Sequence, residues 1–187
     1  GDNDAWRSII DLYARRVFAL AKSRCGDADL AEEITQSVFA TVASTLGAGG
    51  YTEQGRFEPW LFRITMNRVR DEARRAKRAG VSLESTSAPI LAAPSPARGL
   101  APATLAKLRQ GLGELSDADR EIIELRHHAG LSFKEMTEML NEPLGTLLAR
   151  HHRALKKLRN FLDAAGVTSP LGDTEATDAS RGAGPES

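Results

Sequence analysis

A single cysteine, Cys25, is all the thiol that this 187-residue chain contains. No intramolecular disulfide can form, and such sparse usage suits a reducing cytosol. A lone thiol of this kind is expected as a small buried hydrophobe rather than a nucleophile. No apolar run approaches the ~18–20 residues that span a bilayer, and no signal-peptide pattern is visible. Membrane insertion is therefore not expected, and a cytoplasmic location is. Net charge is missing too, because 25 Lys and Arg balance 25 Asp and Glu. The glycines at 47–50, "GAGG", lack the following Lys-Ser/Thr and the preceding strand of a phosphate-binding loop. The four histidines fall as adjacent pairs, His127–His128 and His151–His152. Neighbours on a helix point about 100° apart, which is not the i, i+4 spacing of a helical metal site. With no nucleophile–base constellation either, the reading is of a non-enzyme with no metal and no cofactor.

What the chain does have is charge sorted by region. Residues 56–80 hold eight basic side chains against three acidic ones, a net of +5. Residues 142–160 hold five against one, a net of +4. The acids gather elsewhere: Asp27, Asp29, Glu32 and Glu33 in one run, residues 114–124 in another. Two basic patches separated by acidic surface suggest one polyanion gripped at two places.

Hydrophobic residues at 41% suffice for a packed core. Sustained period-2 alternation is absent and apolar residues recur at three-four spacing, so an all-α fold is expected. Residues 81–103, with Pro89, Pro94, Pro96 and Pro102 among Ala and Ser, have the composition of a flexible linker. They divide the chain into two small helical domains, 1–80 and 104–165, and a polar tail, 166–187, reads as disordered. In the first lobe Ile9, Leu12, Val17 and Leu20 define one helix, stopped near Gly26. Asp29 to Glu32 resembles a capping box ahead of Ile34, Val38, Val42 and Leu46. "GAGGYTEQGR" is a loop, and a third helix starts at Pro59. In the second lobe Ser116 and Ser132 cap helices, Gly130 separates them, and Pro143 opens a basic helix. The last two helices, joined by a tight turn, form a helix-turn-helix pattern.

The stretches "AEEITQSVFATVAS", "FEPWLFRITMNRVRDEARRAKR" and "LGELSDADREIIELRHHAGLSFKEMTEMLNEPLGTLLARHHRALKKLR" resemble, in order, the signature regions of the extracytoplasmic-function sigma factors. These are bacterial transcription initiation factors of the sigma-70 family that keep only regions two and four. The resemblance covers roughly residues 8–162. It implies that the first lobe is region two and the second region four. The partners it implies are core RNA polymerase and promoter DNA, and the family also admits an anti-sigma factor. Glu33 and Gln36 match the polymerase-docking pattern, whereas Ser37 stands where the family often has Glu. Asn67 matches a DNA-facing Asn, and the loop before the third helix would capture an unpaired base of the minus-ten element. Trp60 offers a ring on which bases can stack. Arg70, Arg74, Arg75 and Arg78 would neutralise phosphates. On the basic helix Thr146, Ala149, Arg150, His152, Arg153 and Lys157 face outward at the spacing of a major-groove reader. Leu148 and Ala149 depart from the family, which commonly has a basic residue and Ser there, and His151 replaces an apolar core residue.

The function so implied is recruitment of polymerase to a promoter class, with help in melting it. The alternative is a stand-alone helix-turn-helix regulator of duplex DNA, and a more distant one is a helical interaction protein with incidental basic faces. The aromatic and arginine-rich segment 60–78 separates the first two, since a duplex reader needs no melting surface.

Overall fold

A computed structural model describes residues 3–78 and 101–167. The expected linker and tail lie largely outside them. Among the described residues there are seven helices and no strand. The first lobe comprises α1 (Asn3–Cys25), α2 (Ala28–Gly47) and α3 (Phe57–Arg78). The second comprises α4 (Pro102–Gly113), α5 (Asp117–His127), α6 (Phe133–Leu140) and α7 (Leu144–Ala164).

Each helix end has a local cause. Asp27, not Asp29, caps α2: its carboxylate accepts from Leu30 N at 2.8 Å. Helix α3 begins at Phe57, two residues before the expected Pro59, because proline is tolerated throughout a first turn whose N–H groups lack partners. Pro102 is already helical at the start of α4. Ser116 caps α5, and Ser132 with Glu135 forms a complete capping box on α6, each satisfying the other's backbone N–H. Asn141, at φ 54°, closes α6 in the left-handed conformation, and Pro143 opens α7.

Of the apolar residues that mark α1 in the sequence, Val17 and Leu20 are buried, together with Tyr13, whereas Leu12 is 62% exposed. Leu12 lies one residue, about 100°, from Tyr13 and cannot share its face. Ile34, Val38 and Val42 of α2 and Leu61, Phe62, Met66 and Val69 of α3 complete this half of the core. Cys25 is buried, and burial pushes its thiol above the ordinary value. In the second lobe α7 lies against α4, α5 and α6 through Leu147, Ala154 and Leu158. Gly111 sits so close to α7 that a Cβ there would stand 2.7 Å from Leu158 Cδ1 and 2.8 Å from Phe161 Cδ1.

The lobes, read from the sequence as separate bodies on a tether, are docked. Helix α6 packs on α3, α5 meets α1, and the buried apolar residues form one cluster across both. Charged side chains hold the seam. Arg16 grips Glu58 through two nitrogens (3.0 and 2.6 Å) and donates across the seam to the Ala129 carbonyl at 2.7 Å. Gly130, at φ 70°, passes the same guanidinium: a Cβ there would lie 3.3 Å from Arg16 Nη2. Glu124 of α5 is fully buried and pairs with Arg24 of α1 and with Arg120 (2.9 Å), while Ser23 donates to it at 2.7 Å. Arg120 reaches back to the Ser23 carbonyl. Arg63 donates to the last carbonyls of α6, those of Glu138 (2.8 Å) and Met139 (3.1 Å), which have no helical partner. A buried carboxylate between two arginines is costly to desolvate, and that cost is recovered only while all partners stay in place.

Candidate nucleic-acid interface

Helix α3 carries the first basic surface. Its apolar side enters the core, and that packing fixes which residues face out: Asn67, Arg70, Arg74, Arg75, Lys77 and Arg78 are all exposed. Asp71, Arg74, Arg75, Lys77 and Arg78 line an open depression at the C-terminal end of α3. Arg74 pairs with Asp71 at 3.1 Å and Arg75 with Glu72 at 2.7 Å, each one turn apart. Exposed pairs of this kind are worth roughly 0–1 kcal/mol and yield readily to a phosphate. Arg70 is held differently. Its guanidinium lies 2.5 Å from Glu121 of the second lobe, so docking consumes a charge that the sequence assigns to DNA.

Trp60 stands half-buried at the base of the loop that precedes α3. Tyr51, from that loop, lies over it with ring centroids 4.5 Å apart and planes at 31°, and Phe57 closes the cluster at 5.7 Å. Tyr51 donates to Glu53 at 3.1 Å, and desolvation together with that carboxylate pushes its hydroxyl up to about 12. The loop thus stacks its own ring on Trp60, the ring that the sequence reading offers to an unpaired base.

The second basic surface is α7. Leu147, Ala154 and Leu158 anchor it, leaving Thr146, Leu148, Ala149, His152, Arg153, Lys156 and Lys157 exposed. Arg150 turns back to the inter-helix turn and holds both oxygens of Glu142 (2.9 and 2.6 Å), which raises its already high basicity. Lys157 reaches Asp119 at 2.6 Å, and this bond holds the Asp119 carboxyl below its usual range. Arg153 and His152 are exposed on the same helix. His151 does not face out. It stacks on His127 (5.8 Å) and meets Phe133 edge-on (5.1 Å), filling a site where helical patterning calls for an apolar residue.

The acidic surface lies on α2, where Glu32, Glu33 and Gln36 are exposed and Ser37 is half-buried. Their positions follow from burial of Ile34 and Val38 on the opposite side. The interlobe set of Arg16, Arg24, Arg63, Glu121 and Glu124 was not singled out by sequence reasoning. The usable signal was faint: all five lie within helices, and nothing in their local sequence separates them from other charged helical residues. Among the described residues no cluster of His, Cys, Asp and Glu is arranged to hold a metal, and no helix is long and apolar enough to cross a membrane.

Comparison with known proteins divides the chain along the same two lobes. Residues 9–79 match the family described as Sigma-70 region 2, and residues 111–160 match Sigma-70, region 4. The RNA polymerase sigma factor CarQ of Myxococcus xanthus is 31% identical over 164 residues, covering 87% of this chain and 91% of CarQ. The ECF RNA polymerase sigma factor SigW of Bacillus subtilis is 28% identical over 172 residues, with 87% and 91% covered. Among solved structures, the sigma factor RpoE of Bartonella quintana, in complex with the anti-sigma factor NepR, superposes with a TM-score of 0.66. Its identity is 23%, and 85% of this chain and 97% of that one are covered. CnrH, solved with the cytosolic domain of CnrY, gives 0.64 at 25% identity, covering 88% and 91%.

Proposed function

Because the chain belongs to the extracytoplasmic-function sigma factors of the sigma-70 family, we propose that it docks on core RNA polymerase through α2, directs it to one promoter class and helps open that promoter. The observation that carries this reading is the pairing, in one chain, of an arginine-lined helix beside an aromatic cluster with a basic helix-turn-helix. A stand-alone duplex regulator has use for the second surface only. The work is binding and strand separation in the cytoplasm, not bond-making chemistry. In this reading region two extends over 1–80 and region four over 104–165, with 81–103 as the tether. Glu33, Gln36 and Ser37 meet a basic polymerase surface. Asn67 and Trp60 handle separated bases of the minus-ten element, and Arg70, Arg74, Arg75 and Arg78 grip its phosphates. Arg153 and His152 read the upstream element, flanked by Thr146 and Ala149, while Arg150 and Lys157 set the helix on the duplex. The docked arrangement is the resting form. DNA binding by α3 needs Arg70 released from Glu121, so the lobes part on the polymerase. An anti-sigma protein, of the kind seen with RpoE of Bartonella quintana, is a further partner that a lobe-to-lobe seam could accept.

Co-purification tests the docking assignment. Glu33→Lys reverses one exposed charge on α2, so it should weaken retention of the chain by core polymerase while thermal unfolding of the free protein stays unchanged. Equal retention of the variant would overturn it.

A further inference from the structure

The leading turns of α7 carry the largest departure from a polar surface in the second lobe. Leu144 is 48% exposed and Leu148 45%, one turn apart on the same flank. Leu147, between them, is fully buried and sets the rotation of the helix. Neither leucine can turn inward without drawing Leu147 out of the core. Ala149, beside them, is exposed and adds only a methyl group. The nearest cation, Arg150, is committed to Glu142. Free charge begins a turn later, with Arg153 and Lys156, both exposed. Single exposed leucines need no explanation. A pair of them at the end of the helix that enters the groove does, because N-terminal residues of the second helix are the ones that touch base edges.

We propose that Leu144 and Leu148, with Ala149 alongside, read thymine through its 5-methyl group in the major groove of the upstream promoter element. The inference rests on the assignment of α7 as the duplex-reading helix. Among the four bases only thymine shows a methyl group in that groove, and it is read by apolar contact. Leucine can neither donate nor accept a hydrogen bond, so a cytosine amino group or a guanine O6 held against it would lose a water partner without replacement. The leucines thus select for the methyl and against polar edges. Arg153 and Lys156, exposed in the following turns of the same helix, indicate the occupant: a polyanion whose phosphates meet these cations while its methyl groups meet the leucines.

The test uses holoenzyme assembled from core polymerase and the full chain. Selection from duplexes randomised over the upstream element should enrich thymine at one or two fixed positions. Resynthesis with deoxyuridine there removes the methyl group and nothing else. Affinity should fall about four-fold per methyl, the equivalent of ~0.8 kcal/mol for one buried carbon at about 1.4 kcal/mol per ten-fold. Leu148→Ala should bind thymine and uracil duplexes equally, whereas Leu148→Met, which keeps apolar reach, should retain the preference. Equal affinity of the unchanged protein for both duplexes overturns the inference while promoter binding stands. So does a preference that survives both Leu144→Ala and Leu148→Ala. Failure of the selection to enrich any upstream sequence overturns the sigma-factor reading, and the inference falls with it. Weakened binding of Leu148→Ala to core polymerase, with the thymine preference intact, assigns the leucines to a protein surface and also overturns it.

Discussion

Replacing Glu124 with glutamine should open the molecule without unfolding it. The carboxylate is fully buried and lies between Arg24 of the first lobe, 12% exposed, and Arg120 of its own, 23% exposed. Removing one partner of a buried pair costs about 3–5 kcal/mol, because the remaining charge is left without compensation. The lower end applies here. Arg24 keeps Asp117 at 3.8 Å, and Arg120 keeps the Ser23 carbonyl. A loss of about 3 kcal/mol corresponds to roughly 150-fold in an equilibrium constant. Most of it should fall on docking rather than on folding, since separation of the lobes returns Arg24 to water. Energy transfer between dyes on Ala43→Cys and Asn160→Cys, both exposed positions, with Cys25 changed to Ala, reports lobe separation. In urea the interlobe signal of Glu124→Gln should vanish at clearly lower concentration than in the parent, while helix content by circular dichroism follows the parent curve. Arg24→Met should produce the same shift, and combining the two should add little. An unchanged interlobe transition would refute the claim that this buried charge holds the seam. Simultaneous loss of helix content would show that it holds the second lobe instead.

Gly111→Ala should destabilise the second lobe by about 1–3 kcal/mol, because its methyl would press on Leu158 and Phe161 and overpack the α4–α7 contact; the urea midpoint of a 101–167 fragment or of the full chain checks this. Acid should loosen both lobes. Glu58 is held below its ordinary value, first by the hydrogen bond from Arg16, and Asp119 likewise by Lys157. A carboxylate depressed in the folded state stabilises fully above its unfolded value, about 3.9–4.3, and that stability is lost as pH falls through the folded value. Thermal stability should therefore drop steeply below about pH 4, and Glu58→Gln should flatten that part of the curve. His128 runs the other way in charge but not in direction. Burial first, with Arg120 adding to it, lowers its value, so stability is full above the unfolded value near about 6.5 and declines as pH falls below it.

Much of this was legible in the residues, for reasons that can be named. Ser132 with Glu135, Ser116 and Gly130 are local signals, and each acts within four residues of where it stands. The outward face of α7, with Thr146, His152 and Lys157, was readable because helical period and burial coincide there. The misplacements share one cause. Asp27 and Asp29 are equally good caps by type, and only the path of the chain out of Gly26 chooses between them. Leu12 is apolar yet exposed, while Tyr13 faces inward and its hydroxyl still donates to Glu58 at 3.2 Å. Docking of the lobes was not legible at all. Arg24 and Glu124 are ordinary charged letters a hundred residues apart, and composition assigns both to solvent. Nothing local marks a charge that will be buried by a partner from the other lobe. The departures at Leu148 and Ala149 were visible as letters, but the exposure of Leu144 and Leu148 had to be seen.

Run-off transcription with core polymerase on a pool of promoter fragments tests the central claim most directly. Core enzyme with the chain should give discrete transcripts from a subset of fragments that share an upstream and a minus-ten element, and core enzyme alone should give none of them. Specific binding of the chain to duplex DNA with no transcript in the presence of core polymerase would contradict the account and make the protein a stand-alone helix-turn-helix regulator.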